Sequence, residues 1–176
     1  DSSVVPAICG DGYVVAVAAS GACAYREPDG ALAVRLPGEV TRREVLPASW
    51  RGAAVGWDPT GTRLALMRSI PGPTFDERLH NALWILEADG SLRELYRPAE
   101  PAAFIYAVSW SPDGRRLTAS ESPIISNSVA ADGVPMLLID AATARSERLG
   151  VARSPRWSAS AKLAFVRGEG RETWRN

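Results

Sequence analysis

Along this chain apolar and polar residues alternate in short runs, and each run is closed by Gly, Pro, Asp or Ser. The stretch Thr62-Arg63-Leu64-Ala65-Leu66 is typical, and its alternation is that of a half-buried strand. The same reading predicts strands at Val4–Ile8, Tyr13–Val17, Ala22–Arg26 and Ala31–Leu36. It predicts a second set at Ala53–Trp57, Ala82–Glu87 and Leu92–Tyr96, and a third at Tyr106–Trp110, Met136–Asp140 and Arg145–Leu149. No apolar run reaches the length of a membrane-spanning helix. The pattern is that of an all-β protein.

The predicted strands fall into repeats. Trp57-Asp58-Pro59-Thr60-Gly61-Thr62-Arg63-Leu64-Ala65-Leu66 returns as Trp110-Ser111-Pro112-Asp113-Gly114-Arg115-Arg116-Leu117-Thr118-Ala119, about 50 residues later. A worn copy follows at Trp157-Ser158-Ala159-Ser160-Ala161-Lys162-Leu163-Ala164-Phe165. An earlier one is read at Ile8-Cys9-Gly10-Asp11-Gly12-Tyr13-Val14-Val15-Ala16-Val17. Asp or Ser first, Pro second and Gly fourth are the preferences of a type I turn, so each motif joins two strands. A second turn signal, at Pro28-Asp29-Gly30, Ala88-Asp89-Gly90-Ser91 and Ala141-Ala142-Thr143, is expected to join the third strand to the fourth.

Four antiparallel strands per unit, repeated radially, make the blade of a β-propeller. The motif from Trp110 to Ala119 resembles the PD40 repeat of TolB-like and WD40-like bacterial propellers closely, and Trp57 to Leu66 resembles it well. Blade one is expected over residues 4–37, blade two over 50–98, blade three over 104–150 and an incomplete blade four over 152–176. That is roughly three and a half blades against the four to eight of closed propellers, so the expectation is part of a larger propeller. The resemblance is specific for fold. It implies either a non-enzymatic scaffold or the propeller portion of a prolyl-oligopeptidase-like serine peptidase whose catalytic domain lies elsewhere.

Composition narrows the function. Twenty Lys+Arg balance 20 Asp+Glu, which removes the electrostatic footprint of a nucleic-acid binder. The one histidine, His80, sits in a Pro- and Gly-rich loop, so no His-rich metal site can be built, and a solvated imidazole is expected there. Gly-x-Ser-x-Gly is absent, Gly10-Asp11-Gly12 runs into a strand where phosphate binding needs a helix, and Asp76-Glu77 reads as surface charge. No cofactor and no catalytic residue is expected.

Two features remain. Cys9 and Cys23 are the only cysteines, and they read equally as a disulfide, which would mark an oxidising compartment, or as two small buried apolar residues. Trp57, Trp110 and Trp157 hold one repeat position and are expected to pack between blades, whereas Trp50 and Trp174 stand outside the repeat.

Loop length is the remaining functional signal. Pro37 to Ser49, Ile70 to Asn81 and Ser122 to Val134 are long and irregular on one face, while the opposite turns are tight. Phe75, Arg78, Ile124 and Ile125 are the expected partner-binding residues, since aromatic, Arg and exposed aliphatic side chains anchor interfaces. The reading is a protein-protein interaction scaffold in an exported, periplasmic or cell-envelope complex, reaching a membrane only through a partner or a separate anchor.

Overall fold

The computed structural model describes residues 9, 11–70, 80–101, 103–122 and 133–167. They form thirteen strands in three antiparallel sheets. The first sheet runs in order through β1 (Tyr13–Val17), β2 (Cys23–Arg26), β3 (Leu32–Arg35) and β4 (Arg43–Leu46). The second holds β5 (Gly52–Trp57), β6 (Leu64–Ser69), β7 (Asn81–Leu86) and β8 (Leu92–Tyr96). The third holds β9 (Phe104–Trp110), β10 (Arg116–Ser122), β11 (Val134–Asp140), β12 (Ser146–Trp157) and β13 (Leu163–Arg167). Consecutive strands pair throughout, which is the up-and-down order of propeller blades.

One turn geometry recurs four times, and it explains why the repeat exists. The amides of Gly21, Gly61, Gly114 and Ala161 donate to the carbonyls of Ala18, Asp58, Ser111 and Ser158 at 2.9, 2.9, 2.9 and 3.0 Å. Each of the four donors has a positive φ, from 57° at Ala161 to 89° at Gly21, a conformation that glycine adopts without steric cost. The residues flanking the turns pair as Val17 with Cys23, Trp57 with Leu64, Trp110 with Leu117 and Trp157 with Leu163. A bulge then interrupts the first strand of every pair, between Val14 and Ala16, between Ala54 and Gly56, opposite Thr118–Ser120, and between Arg153 and Arg156.

This geometry corrects the first repeat. Its turn is Ala18-Ala19-Ser20-Gly21, not Gly10-Asp11-Gly12, so among the described residues Tyr13–Val17 is the first strand of its sheet and Cys23–Arg26 the second. Pro28-Asp29-Gly30 consequently joins a second strand to a third, with Gly30 N–H donating to Glu27 O at 2.8 Å. The fourth strand is Arg43–Leu46, within the span expected to be the loop Pro37–Ser49, and a single 3-10 turn follows at Ala48–Trp50. Among the described residues the first sheet spans Tyr13–Leu46, where residues 4–37 were expected. The expected strand Val4–Ile8 lies outside the described residues. The motif was hidden because Val17 stands in the Trp position and Ala19 in the Pro position, leaving only Gly21 to mark the turn.

β12 also departs from expectation. Its first half pairs with β11 and its second half with β13, so one continuous strand ends the third sheet and opens the next hairpin. Ser154, at φ 52°, lies in the bulge that bends it.

The chain divides into two compact units, Asp1–Arg68 with Leu83–Glu94, and Ser69–Ala82 with Leu95–Asn176. In the first, Leu32, Val34 and Leu46 close on Leu64, Leu66 and Leu86, with Trp57 packed against them. Side chains of this kind contribute about 2–3 kcal/mol each when fully buried. In the second, Ile105, Leu117, Met136, Leu137 and Ile139 are all at most 1% exposed. Trp57 therefore packs as the repeat position predicts, and its Nε1, like that of Trp84 and Trp157, is buried with no partner among the described residues. Trp50 packs edge-on to Trp84, ring centroids 6.3 Å apart, and Trp174 is outside the described residues.

Candidate functional site

Phe75, Arg78, Ile124 and Ile125 lie outside the described residues, as does Asp76-Glu77. What the structure describes is where their two segments begin and end within the second unit. Residues 71–79 lead into His80 and Asn81, and residues 123–132 leave from Glu121 and Ser122. These four residues meet on one short stretch, Ala103 to Ile105, at the start of β9.

On one side of that stretch, His80 Nδ1 is 2.8 Å from Ala103 O. A carbonyl can only accept, so Nδ1 carries the proton and donates it. Asn81 grips the next position but one, its Nδ2 donating to Ile105 O at 3.0 Å and its Oδ1 accepting from Ile105 N–H at 2.7 Å. A carboxamide that satisfies both backbone groups of one residue stands in for a neighbouring strand, and β9 is the terminal strand of its sheet among the described residues. His80 is thus buried, at 9% exposure, and not the solvated loop imidazole expected. Its backbone carbonyl also accepts from Ile70 N–H at 2.8 Å, closing the base of the segment between them.

On the other side, Glu121 pairs with Ile105 and Ser122 with Phe104 in the β9–β10 ladder. Glu121 is 5% exposed, and a buried carboxylate is tolerated only where it is paired and hydrogen-bonded. Arg148 supplies the charge, its Nη2 donating to Glu121 Oε1 at 2.7 Å, and the Tyr96 hydroxyl donates to Oε2. Burial, reinforced by that hydrogen bond to the carboxylate, pushes the Tyr96 hydroxyl up to about 12. The bond to Glu121 likewise raises Arg148 above its ordinary value. Beside this cluster the rings of Phe104 and Tyr106 lie 5.4 Å apart on β9, and burial raises the Tyr106 hydroxyl as well.

Little in the residue pattern pointed to these groups. Asn81 opens an otherwise apolar strand, Asn-Ala-Leu-Trp-Ile-Leu, and Glu121 stands between two serines. Each could have been flagged as a polar residue where a strand should bury its side chain, but its partners sit 24 to 27 residues away in the chain.

The chemistry available is limited. His80 donates from Nδ1 to a backbone carbonyl and Glu121 is paired with Arg148, so both groups help to hold the start of β9. Among the described residues no group of three or more His, Cys, Asp or Glu is placed to hold a metal ion. No helix among them is long and apolar enough to cross a membrane. In the first unit, Cys9 and Cys23 form a disulfide with Cα atoms 5.9 Å apart.

Antiparallel sheets of four, four and five strands, each opening on the same turn between its first two strands, define the class as a β-propeller. Its fold is that of the TolB-like propellers, as comparison with solved structures shows. The chain is similar to TolB from Acinetobacter baumannii, with 14% identity and a TM-score of 0.55 over 90% of this chain and 38% of that one. It is similar to an oligogalacturonate lyase in complex with manganese, with 16% identity and a TM-score of 0.54 over 81% of this chain and 42% of that one. It is also similar to a puromycin-hydrolyzing peptidase of Mycobacterium tuberculosis, with 20% identity and a TM-score of 0.52 over 77% of this chain and 24% of that one. The chain therefore spans less than half the length of each of these three. No family model and no curated protein sequence matches it.

Proposed function

We propose that this propeller is a non-enzymatic scaffold that binds a protein partner through residues 71–79 and 123–132, with Phe75, Arg78, Ile124 and Ile125 as anchors. The observation that carries the reading is the meeting of His80, Asn81, Glu121 and Ser122 on Ala103–Ile105. Two long segments rooted on the same three residues of a rigid strand can act as one surface, which is how recognition loops are usually mounted. The polar groups at their bases hold that strand in place, which suits a firmly mounted binding surface.

The partner meets the protein in an extracytoplasmic, periplasmic or cell-envelope setting. The disulfide supports that setting, because such bonds persist where glutathione and thioredoxin do not reduce them.

A photo-cross-linking residue at position 124 tests the proposal. In the envelope fraction of the source cell the chain is expected to trap one defined protein, and Phe75→Ala with Arg78→Ala is expected to abolish that adduct at an unchanged melting temperature. An adduct that survives both substitutions overturns the proposed face. Peptide-bond hydrolysis by the full-length protein, abolished by substituting a serine outside this propeller, favours the peptidase reading instead.

A further inference from the structure

The two sulfurs of the Cys9–Cys23 bond have different surroundings. Cys23 lies in β2 directly opposite Arg35 of β3, and Arg35 Nη2 is 4.0 Å from its Sγ. Cys9 precedes β1, and its backbone carbonyl accepts a hydrogen bond from the Tyr25 hydroxyl at 2.6 Å. The Arg42 guanidinium lies 3.9 Å over the Tyr25 ring and 3.6 Å from the Glu27 carboxylate. Both cysteines are buried, Cys9 at 2% and Cys23 at 0%.

When a disulfide is cleaved by a thiolate, one sulfur takes the new bond and the other leaves with the electron pair, and the better leaving group is the thiol of lower pKa. A neighbouring guanidinium stabilises a thiolate. Here that neighbour is a cross-strand partner fixed by the β2–β3 register, so the preference is built into the sheet.

We propose that Cys9–Cys23 is a reversible redox site, opened by an external dithiol that attacks Cys9 Sγ while Cys23 departs as the thiolate beside Arg35. In the first step a bond forms between the reductant sulfur and Cys9 Sγ, the Sγ–Sγ bond breaks, and its electron pair stays on Cys23. In the second step the other reductant thiolate attacks its own sulfur partner, closes the reductant's disulfide and releases Cys9 as a thiolate, which takes a proton. The pair gains two electrons and the dithiol loses two. Both sulfurs are buried, so attack follows a local opening that exposes Cys9 Sγ, whereas Cys23 stays within its strand. The Tyr25 hydroxyl holds the Cys9 backbone near β2 after reduction, so that reoxidation is intramolecular. This inference rests on the disulfide and its neighbours and is independent of the interaction reading.

Glutathione provides the test, as a monothiol that traps the first step. Mass spectrometry of the folded chain is expected to find the mixed disulfide on Cys9, and Arg35→Gln is expected to slow its formation by roughly three- to tenfold. Arg35→Lys, which keeps the charge, should restore most of the rate. In the fully reduced chain, iodoacetamide should alkylate Cys23 at lower pH than Cys9, and Arg35→Gln should remove the difference. A mixed disulfide on Cys23, equal labelling of both sulfurs, or no adduct until the chain unfolds would overturn the proposal.

Discussion

The carboxamide of Asn81 holds both backbone groups of Ile105, with Oδ1 2.7 Å from its N–H and Nδ2 3.0 Å from its C=O. A strand residue in β7 thereby occupies the backbone of the first strand of another sheet. Replacing Asn81 with Ala leaves that N–H and C=O without these partners and should cost about 2 kcal/mol, or a fall in Tm of roughly 4–8 °C. Hydrogen exchange should accelerate at the Ile105 amide. Unchanged protection there would mean that the carboxamide does not hold the strand.

Tyr96 makes the protein sensitive to alkali. Its hydroxyl titrates near 12 when folded and near 10 when unfolded, so the folded state holds that proton more tightly. The stabilisation is complete below pH 10 and is lost as pH rises through 12. Absorbance at 295 nm should show a tyrosine ionising in this last window, and Tyr96→Phe should remove that step. Glu121→Gln should lower it only part of the way, because the carboxylate that accepts the bond is gone while burial, the larger cause, remains.

Asp58 acts at the opposite end of the pH range. Burial raises its carboxyl, but hydrogen bonds from the amides of Arg63 and Thr62 and the hydroxyl of Thr60 outweigh it and hold the carboxyl below its ordinary 3.8. A depressed folded value means that the stabilisation is present above the unfolded value and is lost as pH falls through the folded one. Asp58→Ala should cost about 2 kcal/mol at pH 7 and progressively less in acid below pH 4, measured by urea unfolding across pH. A cost that does not change with pH would sink the account.

The fourth turn carries strain that the second avoids. Ala161 has φ 57° where Gly61 has 72°. Ala161→Gly should raise stability by about 0.5–1 kcal/mol by relieving the left-handed backbone. The reverse change is worse than the backbone term alone, since a Cβ on Gly61 would lie 2.0 Å from Ser20 Oγ and 3.0 Å from Ala18 Cβ. Thermal melts of both variants, with opposite signs expected, check the assignment.

What the sequence determined by itself was local. Alternating residues and the Trp-(Asp/Ser)-Pro-x-Gly turn specify strand, turn and strand through contacts only a few positions apart, and so the propeller class was legible from Trp57–Leu66 and Trp110–Ala119. The same reasoning misplaced the first repeat, because Val17 and Ala19 keep the backbone geometry while losing the residues that advertise it. It also left Cys9 and Cys23 open between a bond and two apolar side chains, a choice that depends on whether two backbones approach to 5.9 Å. Only the tertiary structure buried His80 against Ala103, set Asn81 on Ile105 and closed Glu121 between Tyr96 and Arg148. Those groups carry no periodic signature, because a buried polar side chain is fixed by the partner that satisfies it, and these partners come from other strands far along the chain.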